Sequence, residues 1–268
     1  MSLGRLRRLC FSDLDALWDR EYFQQAFGYY CVDQDEVAGE LPNPAAHFYR
    51  LTGRERVWPY NQYGSDYDLD TLVEVIEVLY DLVSAPLTGR HHSFNECGWH
   101  YETFDPDAGR CEFRAQLNDT LRLAEPALQL QENGEIVLLH SEEMEKLLDA
   151  PLPPGAQSDL IATKIADARR LFRSRHSDGS DRRRAVRELV DVLEAIRPDI
   201  KAYLPSADER DLFNIANNFA IRHNNDAQKR DYDPLWFGYL FQRFLADIHL
   251  VLRLRERVAL QVIEPTRI

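Results

Sequence analysis

The stretch DAPLPPGAQSD (149–159) divides this chain before any other feature is weighed. Its three prolines and one glycine remove backbone donors and favour an extended path, so neither a helix nor a central strand runs through it. It reads as a linker at 150–157 between a first domain, 1–149, and a second, 158–268. A chain of 268 residues is long enough to give each its own core.

The two parts differ in charge. The net charge is −13. Residues 1–150 hold 12 Lys+Arg against 28 Asp+Glu, and residues 151–268 hold 20 against 17. The acidic part repels nucleic acid, whereas the other part still admits it locally. Hydrophobic content of 44% and charged content of 29% describe a soluble globular protein. No apolar run approaches the roughly 20 residues of a membrane span. The start, MSLGRLRRLCFSDLD, lacks the apolar core of a secretory signal, so the expected compartment is the cytoplasm. Cys10, Cys31, Cys97 and Cys111 show no CxxC spacing and read as free thiols.

Helical periodicity dominates both parts. In the first, Ser12 is expected to cap a helix through DLDALWDREYFQQAF. Asn43-Pro44 opens PAAHFYRL, and Asp68 opens LDTLVEVIEVLYDLVS. A later helix carries Phe113, Leu117 and Leu121. Asn133-Gly134, between two apolar runs, signals a hairpin because both turn positions favour positive φ. A short helix, EEMEKLL, follows Ser141. After the linker come four amphipathic segments, starting at Ser158, Ser180, Ser206 and Asp233-Pro234, with Pro198 stopping the second. The expected fold is mostly α: an α-rich first domain with a small β-hairpin, then a four-helix bundle.

The third of these segments ends in IANNFAIRHNND (215–226). Its apolar stripe, Leu212, Ile215, Ala216 and Phe219, runs on into Arg222 and His223. A cation and an imidazole thus meet near a helix C-terminus, where the dipole favours positive charge. The plain alternative is a polar helix end followed by an Asn-Asn-Asp turn.

These residues carry a resemblance. The post-linker layout resembles the HEPN superfamily of four-helix nucleotide- and RNA-binding domains, many of them metal-independent ribonucleases. In ANNFAIRH, Asn217 and His223 stand where the family's polar residue and histidine stand, but Ala216 replaces its arginine. A frame starting at Arg222-His223 lacks the later histidine. The chain as a whole, through FSDLD, FRAQLNDTL and LQLQENGEIVLL, resembles abortive-infection proteins of the AbiJ type. The resemblance implies an antiphage role, RNA or a nucleotide as partner, and a homodimer combining half-sites. It also implies His223 as base, with Arg222 and Asn217 beside it. Losing one electrostatic donor of this kind costs about 10²–10³ in rate, so the missing arginine weighs against turnover. The alternative is a non-catalytic helical scaffold. The spacings Arg243 to His249 and Arg170 to His176 also fit the motif, but long or arginine-rich helices produce them by chance.

An arginine-rich stretch adds a candidate nucleic-acid surface: Arg169, Arg170, Arg173, Arg175, Arg182, Arg183, Arg184 and Arg187. Arginine suits bidentate phosphate contact. A docking surface and a solvated face are the other readings. In RHHSFNECGWHYETFD (90–105), His91, His92, Cys97 and His100 have donor chemistry for a soft metal, but their spacing matches no zinc pattern. The segment equally reads as a packed surface loop, so no metal and no cofactor is expected. No Walker loop, GxSxG, HExxH or dinucleotide fingerprint occurs.

Overall fold

The structure is a computed structural model describing residues 1–153, 159–218, 233 and 235–263. It is mostly α-helical with three two-stranded antiparallel hairpins, and it divides into two compact units, Met1–Leu139 and His140–Ile268. Among the described residues no helix is long and apolar enough to cross a membrane.

The first unit contains α1 (Leu3–Trp18), α2 (Gln24–Phe27), β1 (Gly28–Cys31), β2 (Asp35–Ala38), α3 (Pro44–Thr52), α4 (Tyr60–Tyr63) and α5 (Leu69–Leu82). It continues with β3 (Ala85–His92), β4 (Gly98–Asp105), α6 (Pro106–Leu121), β5 (Leu128–Leu130) and β6 (Ile136–Leu138). Its first helix starts at Leu3, ahead of the expected Ser12, because Leu6, Cys10, Leu14 and Leu17 already form one buried stripe at helical spacing. Each such side chain contributes about 2 kcal/mol by leaving water. That stripe shares a core with Leu72, Ile76 and Leu79 of α5 and with Phe113, Leu117 and Leu121 of α6. Asn43, Asp68 and Asp105 cap their helices by accepting from the N3 backbone N–H.

The Asn133-Gly134 hairpin is present, with Leu128 paired to Leu138, Leu130 paired to Ile136, and Gly134 at φ 88°. Asn118, buried on α6, donates to Leu130 O and accepts from Leu130 N–H. Its amide thus stands in for a neighbouring strand. The stretch read as a surface loop, 90–105, instead belongs to the hairpin β3–β4, the longest among the described residues.

The second unit, among the described residues, is helical: α7 (Glu142–Asp149), α8 (Asp159–Arg173), α9 (Gly179–Ala195), α10 (Arg197–Tyr203), α11 (Ser206–Asn218) and α12 (Leu235–Ile263). Ile165, Ala168 and Phe172 of α8 pack with Leu189 and Leu193 of α9 and with Phe241, Phe244 and Ile248 of α12. Phe172 and Phe241 stack with centroids 3.9 Å apart. The helix behind Ser141 joins this core through Met144 and Leu148. Two sequence details change. Asp178, ahead of Ser180, caps α9 in a reciprocal capping box with Asp181. Pro198 opens the extra helix α10, where its missing N–H costs nothing, as well as following the end of α9.

Candidate metal centre

The first hairpin, β1–β2, has little apolar burial of its own: Cys31 is its one buried residue. Gly28 starts it at φ 78°, where a Cβ would meet Val37 O at 1.9 Å, so only glycine lets the strands close there. Three successive residues of β1 reach the second hairpin. The Tyr29 ring stacks on His100, with centroids 4.2 Å apart. Tyr30 O accepts from the Cys97 thiol at 3.7 Å. Cys31 Sγ lies 3.8 Å from His92 Nδ1.

The second hairpin supplies the other donors from its turn end. His92 ends β3, Cys97 sits in the turn, and His100 is the third residue of β4. The short 3-10 turn between them needs Asn95 at φ 53° and Gly98 at φ 95°, left-handed conformations that suit these two residue types. This turn brings Cys97 Sγ to 3.2 Å from His100 Nε2. One donor atom from each of Cys31, His92, Cys97 and His100 falls within 4.8 Å of the others.

Those separations suit a tetrahedral ion. Zinc bonds of about 2.3 Å to sulfur and about 2.0–2.1 Å to nitrogen imply neighbouring S and N donors about 3.6 Å apart. The observed 3.2 and 3.8 Å lie either side of that value. His92 has a second feature of a metal ligand: its Nε2 is 3.3 Å from Asp33 Oδ2. A carboxylate so placed holds the ring proton on Nε2 and turns Nδ1 toward the thiol. His100 is 3% exposed, and its Nδ1 is buried with no hydrogen-bond partner. Burial first, then the basic neighbours His92, Arg90 and His91, hold its pKa below the usual histidine range. The ring is therefore neutral at neutral pH, the form that ligates.

The strand that carries His100 is held from its other edge. Gln24, 5% exposed, donates to Trp99 O at 2.9 Å and accepts from Tyr101 N–H at 2.6 Å. Its amide caps the open edge of β4 as Asn118 caps β5, and fixes where His100 points.

Of the residues weighed for a metal from sequence, His92, Cys97 and His100 converge, while His91 turns to the opposite face beside Trp99. No metal site is expected from sequence, and Cys31 is not among the candidates there: it comes from another hairpin, 61 residues before His92. Spacing rules for metal motifs find pairs within one turn, and the only local sign of Cys31 is a lone cysteine ending a short alternating run.

The residues proposed for RNA chemistry are placed as follows. Arg222 and His223 lie outside the described residues. Asn217 is exposed on the last turn of α11 and has a partner of its own. Arg169 is half-buried: it donates to Ala150 O at 2.9 Å and Leu147 O at 3.4 Å at the end of α7, and lies 3.0 Å from His249 Nε2. Arg173 pairs with Glu145 and, at 2.8 Å, with Asp149. These two arginines tie α8 to α7. Arg170 is exposed and pairs with Asp167, Arg175 meets His176, and Arg184 and Arg187 are exposed on α9. Arg182 and Arg183 are half-buried, and Arg183 and Arg187 are engaged in further interactions. The Arg243-to-His249 spacing does not make one site: Arg243 closes on Asp247 at 3.4 Å, and His249 faces Arg169.

Comparison with protein-family models, with curated proteins and with solved structures finds no match to this chain.

Proposed function

We propose that the first unit is a zinc-binding module in which Cys31, His92, Cys97 and His100 hold one ion. The convergence of two thiols and two imidazoles from two hairpins carries this reading. Thiols and imidazoles select zinc over magnesium or calcium, which take oxygen donors. Four protein donors leave no position for a substrate, so the ion's role is structural. It staples β1–β2, which has little core of its own, onto β3–β4.

The test is metal analysis of the purified chain. One zinc per chain is expected, and cobalt(II) in its place should give the visible spectrum of a tetrahedral thiolate site. Cys31→Ser and His100→Gln should each abolish both signals. A chain that takes up no metal, or whose uptake ignores these substitutions, sinks the proposal.

For the second unit we propose engagement of RNA or a nucleotide, as its likeness to HEPN-type abortive-infection proteins implies. The exposed Arg170, Arg184 and Arg187, on two helices packed together, favour this reading. Incubation with tRNA and with total RNA, with and without chelator, tests it. Cleavage that His223→Ala removes without changing the melting temperature supports a ribonuclease, with a dimer supplying the second half-site. Binding without cleavage supports a degenerate domain. With neither, a non-catalytic helical scaffold remains.

A further inference from the structure

Residues paired across an antiparallel ladder share a face of the sheet. In β3–β4, Arg90 pairs with His100, and His92 pairs with Gly98, so Arg90 lies on the metal side. His91 pairs with Trp99, and Gly89 with Tyr101, so the opposite face presents three rings. Trp99 and Tyr101 lie nearly parallel, at 18° with centroids 5.6 Å apart, and His91 meets Trp99 edge-on at 5.3 Å. Gly89 carries no side chain over this row: a Cβ there would meet Tyr101 Cα at 2.8 Å. Trp99 is 46% exposed, and His91 is exposed. A tryptophan displayed at this level beside two more rings is a surface patch with a use.

Charge decides what it fits. A single-stranded nucleic acid needs rings to stack its bases and cations for its backbone. Within β3–β4 no arginine or lysine shares the ring face, because the register sends Arg90 to the other side. The first unit as a whole holds 11 basic residues, none of them lysine, against 24 acidic ones. Asp33, Asp35, Glu36 and Glu102 are exposed on the two hairpins, with Asp33 beside His92 on the other face. A negative field repels phosphate and concentrates cations, and the π faces of Trp and Tyr attract guanidinium and ammonium groups.

We propose that the His91–Trp99–Tyr101 face of the β3–β4 hairpin docks an arginine- or lysine-rich peptide segment of a partner protein. The inference rests on the hairpin's register and on charge, and stands apart from the metal proposal for the other face.

The experiment titrates the full chain as purified with a nine-residue arginine peptide at physiological salt, read by calorimetry and by tryptophan fluorescence. Oligouridylate is the competing probe. Saturable one-to-one binding of the peptide is expected, weakened tenfold or more in Trp99→Ala and largely kept in Trp99→Phe. Trp99→Ala leaves net charge unchanged, so an equal affinity in that variant would mean a diffuse field effect and overturn the proposal. Oligouridylate binding that Trp99→Ala removes would overturn it in favour of RNA. The melting temperature and hairpin amide protection of each variant show whether the hairpin still folds. If Trp99→Ala fails that check, His91→Ala, at the exposed end of the row, takes its place with a smaller expected loss of about threefold.

Discussion

Among the described residues each unit buries one histidine to a similar degree, His100 at 3% and His249 at 5% exposure, and the two do opposite things. His100 faces a thiol, with a second thiol and a second imidazole close by. His249 faces the guanidinium of Arg169, which in turn holds the carbonyl end of α7. Both rings are pushed toward their neutral form, first by burial and then by positive neighbours. A neutral ring among thiols has the donor atom a metal ligand needs. A neutral ring against a fixed cation accepts its hydrogen bond and excludes any second cation, a metal included. Burial alone therefore does not tell a ligand from a packing residue; the partner does.

The comparison breaks most visibly if the ion is removed. Structural zinc in small domains is worth on the order of 10 kcal/mol. Chelation, or Cys31→Ser, should lower the melting of the first unit strongly and expose the β1–β2 amides to hydrogen exchange, while the amides of α8, α9 and α12 keep their protection. Equal loss in both units would show that the ion does more than staple two hairpins.

Acid is the next test, and it should weaken both units, because burial lowers the pKa of His100 as well as that of His249. The pKa of His249 is pushed down to about 4. Its depressed folded value means that the unfolded chain binds a proton first as pH falls. The stability it contributes is complete above about 6.5 and is lost progressively down to about 4, by at most about 3 kcal/mol. Unfolding in urea across this range should show the second unit weakening. His249→Phe should flatten that slope.

Within the metal site, Asp33→Asn tests the outer carboxylate. Zinc affinity should fall about 10- to 100-fold with one ion still bound and the cobalt spectrum unchanged, since the four ligands remain. An unaltered affinity would reduce the Asp33–His92 contact to a surface ion pair. The smallest effect is expected at Asp178→Ala, which removes the α9 cap. It should cost about 1 kcal/mol in the second unit and nothing in zinc binding.

The sequence by itself settled what depends on neighbours along the chain. The stripe of Leu72, Ile76 and Leu79, the caps at Asn43 and Asp68, and the Asn133-Gly134 turn were all legible because a helix face or a two-residue turn is written within a few positions. The arginines of α8 were legible as charge, with docking among the open readings, but their particular partners were not: Arg169 and Arg173 engage α7, across a proline-rich segment that hides the contact. The candidate metal site was half legible. His92, Cys97 and His100 lie within one hairpin end, where a turn can gather them. Cys31 joins them only because Tyr29 lies flat on His100 and Gly28 lets its own hairpin close. Propensity and periodicity act over one turn of chain, whereas a tetrahedron of donors is a statement about distance in space, and only the packing of two hairpins fixes it.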